Sequence, residues 1–263
     1  MKRGIMILLF LAATGVSAAD SDEIKRVGLD GEKEIPAPVS EIGKDGIERI
    51  SKVKEAGLEL FPCTEKKSKG TILVCPGGGY FILAINHEGR DIAKMLNGFG
   101  YDVAVLLYHV NEGADKTRGM ALDDAKKALE LLRKKGKDLK FNTKTIGVMG
   151  FSAGGHLAAR LANETAKSKA PDFMILIYPA YLEKDGKLLN DVVPPKIPIF
   201  AYAAADDQHS VNSRVLAAYC KDNGISCDFT ETKDGGHGFG IKKPLPKSVA
   251  DWPDKLEKFL KGI

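Results

Sequence analysis

The chain has 263 residues, 44% of them hydrophobic, and its 39 basic and 35 acidic residues give a formal charge of +4. A chain of this size can bury one large core. So small a net charge gives no electrostatic reason to expect nucleic acid or an anionic membrane as partner.

At the N-terminus Lys2 and Arg3 precede an apolar run from Ile5 to Val16. About a dozen residues are too few to span a bilayer comfortably. Small residues at Val16-Ser17-Ala18 and the polar stretch Asp20 to Glu23 complete the pattern of a secretory signal peptide cut after Ala18. Removing residues 1–18 takes away two basic and no acidic residues, leaving 245 residues at a formal charge of +2. The expected product is exported, periplasmic or extracellular, with no membrane attachment after cleavage. No cysteine near the cut offers a lipid anchor.

Residues 19–45 are polar, with Pro36 and Pro38, and read as a loosely held lead-in. Strands are expected at Leu58 to Phe61, Thr71 to Cys75, Asp102 to Tyr108, Thr145 to Gly150, Phe173 to Tyr178, Ile199 to Ala203 and Ile225 to Thr230. Most lack polar alternation, as strands covered on both faces do. Between them, helical spacing of apolar residues predicts helices at Glu88 to Phe99, Met120 to Lys135, Ala153 to Asn163 and Val211 to Asn223, with a last one at Ser248 to Leu260. Tyr181 to Lys196 reads as a loop within the domain. This alternation implies one α/β domain over 19–263, with a mostly parallel central sheet and helices on both faces.

Of the four cysteines, Cys220 and Cys227 straddle a helix-to-strand turn and could bridge in an oxidising compartment, although the spacing does not require it. Cys75 ends a buried strand and is expected as a free thiol. None has metal-ligand spacing, and no metal or organic cofactor is expected.

The strongest local signal is Gly150-Phe151-Ser152-Ala153-Gly154, between a strand and a helix. In that context G-x-S-x-G makes a tight turn that presents the serine oxygen at the sheet edge, and the glycines are needed because a side chain would clash. A serine nucleophile needs a base. His237, in a glycine-rich segment after the last strand, is the candidate among five histidines. His156 falls one turn along the helix after Ser152 and reads as structural. His87 is expected to cap or pack near the glycine turn at 77–79, and His109 and His209 are weaker candidates. A carboxylate must fix the base. Asp206 and Asp207 both follow the C-terminal end of the Ile199 to Ala203 strand, and strand length favours Asp207. Gly77-Gly78-Gly79 follows the first core strand, and glycine turns can aim several N–H groups at one point. Gly78 and Gly79, with Ala153, are the expected oxyanion donors, and such donors contribute roughly 10²–10³ each in rate. A phosphate-binding turn fits less well, because the Lys-Ser/Thr ending of a P-loop is missing.

VCPGGGY, INHEG, DDAKKALELLR, IGVMGFSAGGHLAA, AADD and GGHGFG, spread over residues 74–240, together resemble the α/β-hydrolase superfamily. More closely, they resemble exported bacterial carbohydrate esterases of the acetylxylan and feruloyl esterase type. The resemblance implies an α/β-hydrolase fold without a large cap. It also implies Ser152, Asp207 and His237 as catalytic residues, and a small-molecule or oligosaccharide ester as substrate. A peptidase or another acyl hydrolase on this fold, or a non-catalytic carbohydrate-binding relative, are the alternatives. Two segments depart from the pattern. Tyr108-His109 stands where relatives often have Tyr-Arg, and Gln208-His209-Ser210-Val211 lacks their usual Pro-Val.

Overall fold

The computed structural model describes residues 24–64, 67–166 and 169–263. The expected signal peptide therefore lies outside the described residues. Eight strands form the central sheet: β1 (Arg26–Gly28), β2 (Gly57–Phe61), β3 (Thr71–Cys75), β4 (Asp102–Leu107), β5 (Ile146–Phe151), β6 (Phe173–Ile177), β7 (Ile199–Ala204) and β8 (Cys227–Thr232). Their order is β1-β2-β4-β3-β5-β6-β7-β8. β2 runs antiparallel to both neighbours, and all other pairings are parallel. Every residue of β3 to β7 is buried, which is why those runs read as apolar after the polar first residues Thr71 and Asp102. The edge strand β8 is only partly buried.

Five helices accompany the sheet: α1 (Asp91–Phe99), α2 (Ala114–Lys135), α3 (Ala153–Thr165), α4 (Ser210–Asp222) and α5 (Trp252–Lys261). From β3 the chain steps one way to β4, then returns past β3 to β5. With right-handed crossovers, that reversal puts α1 on one face and α2 on the other. It also opens a crevice between the C-terminal ends of β3 and β5, where open α/β sheets bind ligands.

Some expectations need correcting. The lead-in is not loose throughout, because Arg26–Gly28 forms β1 on the edge of the sheet. Arg26 Nε lies 2.9 Å from Glu59 Oε1, and Arg90 bonds both oxygens of the same fully buried carboxylate at 2.8 Å. Charged residues hidden in this way carry no apolar signal. The expected helix at Glu88 to Phe99 opens with a separate π-helical turn, Asn86–Arg90, before α1 begins. α2 starts six residues before the expected Met120, on a polar first turn that the apolar spacing does not reach. Within the loop that follows β6, Glu183–Lys184 and Lys187–Leu188 form a short hairpin. Among the described residues no helix is long and apolar enough to cross a membrane.

Candidate active site

β5 delivers its chain directly into α3, and Ser152 occupies the turn with φ 49° and ψ −119°. A non-glycine residue in this region is strained, so its surroundings must hold it there. The Ser152 N–H donates to Ile177 O (3.1 Å), and its carbonyl accepts from the N–H groups of Gly155, His156 and Ala180. The flanking glycines are steric necessities. A Cβ on Gly150 would sit 2.1 Å from Gly154 O, and one on Gly154 would sit 2.1 Å from Cys75 O.

The loop after β8 brings His237 over this turn. Its Nε2 lies 2.7 Å from Ser152 Oγ, and its Nδ1 lies 2.8 Å from Asp207 Oδ2. The Asp207 side chain is fully buried, and its other oxygen accepts the His209 N–H at 2.8 Å. Asp206 points elsewhere. Its carboxylate accepts the N–H groups of Gly235 (3.3 Å) and Gly236 (2.8 Å), tying down the loop that carries His237. The two adjacent aspartates thus divide the work: one meets the imidazole, the other the backbone around it.

The glycine turn after β3 follows from its hydrogen bonds. The Gly77 carbonyl accepts from Ala84 N–H, and the Gly78 carbonyl accepts from Phe81 and Ile82 N–H. Across a planar trans peptide the N–H points opposite the carbonyl. The N–H groups of Gly78 and Gly79 therefore face away from these contacts. Gly77 is not a candidate donor to a ligand, because its N–H goes to Glu88 Oε2 at 2.8 Å. Ala153, the first residue of α3, supplies the third expected N–H. Helix N-termini favour negative charge.

Sequence reasoning missed the support beneath this turn. Glu88, 3% exposed, accepts both the Gly77 N–H and, at 2.8 Å, the Tyr178 hydroxyl proton. The Tyr178 hydroxyl oxygen in turn accepts the Gly240 N–H (2.8 Å), and the tyrosine ring packs edge-on against His237 at 5.0 Å. One buried carboxylate thus links the glycine turn to the histidine loop. The INHEG string contains Glu88 but does not mark it as buried.

The remaining histidines sort by surroundings. His156 is buried with Nδ1 2.7 Å from the Tyr80 hydroxyl, and burial, reinforced by Arg160 and Arg118, pushes its pKa down to about 3. His87 is buried, and its carbonyl accepts the Ile241 N–H behind the histidine loop. His109 pairs with Asp124 at 2.7 Å. His209 packs against His237, ring centroids 5.0 Å apart, and its pKa is lowered by burial and by the neighbouring imidazole. Cys75 is a buried free thiol pushed up to about 12 by burial, and Cys220 and Cys227 are free thiols too. Among the described residues no group of His, Cys, Asp and Glu could hold a metal ion.

Sheet order, turn and crevice define an α/β hydrolase. The chain belongs to the BD-FAE family, whose model matches residues 58–190. That stretch holds the glycine turn and Ser152 and stops before Asp207 and His237. An acetylxylan esterase from Xylanibacter ruminicola is 29% identical over 206 residues, covering 67% of this chain and 42% of its own. The endo-1,4-beta-xylanase B of Butyrivibrio fibrisolvens is 31% identical over 120 residues, 41% of this chain and 19% of that protein. The chain thus spans less than half the length of the curated relatives it matches. Among solved structures, the acetyl ester-xyloside bifunctional hydrolase from Caldicellulosiruptor lactoaceticus superposes with TM-score 0.68 at 26% identity, over 79% of this chain and 88% of that one.

Proposed function

We propose that the protein is an exported serine esterase that hydrolyses short-acyl esters of carbohydrates through an acyl-enzyme. One observation carries the reading: a serine oxygen held in a strained turn, 2.7 Å from an imidazole whose other nitrogen faces a buried carboxylate at 2.8 Å. Nucleophile, base and orienting acid within hydrogen-bond reach make up the serine-hydrolase arrangement.

In the first step neutral His237 takes the Ser152 proton as Oγ adds to the ester carbonyl. The Asp207 carboxylate stabilises the imidazolium so formed. The carbonyl oxygen becomes an oxyanion facing the N–H groups of Gly78, Gly79 and Ala153. Collapse breaks the bond to the alcohol, which leaves with the proton from His237. Water then enters, gives a proton to His237 and attacks the acyl carbon. The second tetrahedral intermediate releases the carboxylic acid, and Ser152 regains its proton. No step calls for a metal or organic cofactor. The acetylxylan esterase relative supports an acetylated polysaccharide as substrate and a secreted location. Neither nucleic acid nor a membrane enters this reading.

The test is direct. A fluorophosphonate probe labels the wild-type protein and leaves Ser152→Ala unlabelled, and the wild type releases acetate from acetylated xylooligosaccharides and from p-nitrophenyl acetate. Labelling that survives Ser152→Ala rejects the nucleophile. A pure, folded protein that leaves both esters intact rejects the esterase.

A further inference from the structure

A cavity of about 460 Å³, walled by Tyr181, His156 and the start of α2, has none of the acyl-transfer residues in its lining. This is within the roughly 300–1,000 Å³ typical of small-molecule sites. Tyr181 is the wall it shares with the reaction centre. The Tyr181 ring packs edge-on against His209 at 5.9 Å, and His209 packs against His237 at 5.0 Å. On its other side Tyr181 borders the glycine turn, since a Cβ placed on Gly79 would lie 4.0 Å from the tyrosine hydroxyl.

The Arg118 guanidinium lies over the Tyr181 ring, 5.0 Å from its centroid, and 5.9 Å from that of Tyr80. Tyr80 and Tyr181 both have left-handed backbone, φ 68° and 60°. Such strain clusters at ligand clamps and active sites. Tyr80 is fixed from below by His156. Within the cavity Arg118, Arg160 and Lys184 are balanced by Asp115, Glu183 and Asp191, with Arg160 and Asp191 paired at 3.0 Å.

We propose that this cavity is the subsite for the alcohol part of the ester and takes a neutral pyranose ring of an oligosaccharide. Equal numbers of opposite charges leave no net field to draw in an anion or a cation. Guanidinium groups only donate hydrogen bonds and carboxylates only accept them, whereas sugar hydroxyls do both. A cavity with both kinds of group therefore suits a polyhydroxylated ligand, and Tyr181 in its lining adds aromatic surface. The subsite's place in the reaction rests on the esterase reading, but its ligand chemistry does not.

Two measurements on the purified protein test it. Saturation-transfer NMR with xylotriose, which carries no ester, reads binding alone. Transfer is expected with wild type and is lost, or weakened at least tenfold in Kd, in Arg118→Ala and in Asp115→Asn. Two variants on separate turns of α2 guard against one failing to fold. In kinetics, the ratio of kcat/KM for acetylated xylotriose to that for p-nitrophenyl acetate falls at least tenfold in Arg118→Ala, through KM. The proposal is overturned by absence of transfer to wild type or by transfer undiminished in both variants. A carboxylate-bearing xylooligosaccharide binding tenfold tighter than xylotriose overturns it too. Xylotriose binding without hydrolysis of either ester fails the esterase reading and upholds the subsite. Hydrolysis of both esters with an unchanged ratio and no xylotriose binding does the reverse.

Discussion

The Glu88 carboxylate accepts the Gly77 N–H at 2.8 Å, which removes Gly77 from the set of groups that can meet a ligand and fixes the plane of the turn beside it. The same side chain accepts the Tyr178 proton. Glutamine in its place has one acceptor oxygen and two N–H donors and cannot satisfy both partners. A buried group left unpaired costs about 1–3 kcal/mol. Glu88→Gln is expected to lower the melting temperature by several degrees and to slow fluorophosphonate labelling at least tenfold, with the loss in kcat rather than KM. Labelling at the wild-type rate would show that the turn holds its shape without this anchor.

The two aspartates separate cleanly by experiment. Asp207→Asn leaves His237 without a charged partner, and in serine hydrolases of the triad type this loss lowers kcat by roughly 10⁴. Asp206→Asn keeps an oxygen for one of the two glycine N–H groups and is expected to cost less than tenfold. Steady-state kinetics on p-nitrophenyl acetate decides between them, and a larger loss for Asp206→Asn would reverse the assignment.

Much of this was legible in the sequence because backbone geometry writes itself in residue types. Gly150 and Gly154 stand where a Cβ would meet a carbonyl oxygen at 2.1 Å, so the turn leaves a string that can be read. Strands β3 to β7, hidden on both faces, leave apolar runs. What stayed hidden depends on long-range pairing of polar groups. Glu59 and Arg26 lie 33 positions apart, and Glu88 and Tyr178 lie 90 apart. Nothing local in either segment distinguishes a charge meant for water from one meant for a buried partner.

The glycine positions give a steric test. Overpacking a tight interior costs about 1–3 kcal/mol, occasionally more. In Gly154→Ala the obstacle is backbone, the carbonyls of Cys75 and Pro76, rather than a movable side chain. The upper end of that range or beyond is expected, read as a lower midpoint in urea together with lost labelling of Ser152. Wild-type stability in Gly154→Ala would mean that β3 and α3 can separate.

His156 makes stability depend on pH. Its pKa is lowered from 6.5 to about 3, so the folded state binds the proton more weakly than the unfolded chain. Its contribution is complete above pH 6.5 and is lost as the pH falls toward 3, by at most about 1.4 kcal/mol per pH unit. His156→Asn keeps a polar partner for Tyr80 and does not titrate. Urea unfolding at pH 7 and pH 4.5 is expected to show a smaller loss of stability in the variant than in the wild type. Equal losses would mean that the imidazole is hydrated in the folded state.

The proposed base and the proposed nucleophile sit on supports of unequal strength. Ser152 follows β5, which has buried neighbours on both sides, whereas His237 follows β8, the half-exposed last strand that pairs only with β7. Opening is easiest at such margins. Fraying of this margin would carry the imidazole away and leave the serine in its turn, so loss of turnover on warming would precede loss of the core. Under the proposed mechanism, activity would report on the integrity of one edge, and a protein that has stopped working would not yet be one that has unfolded.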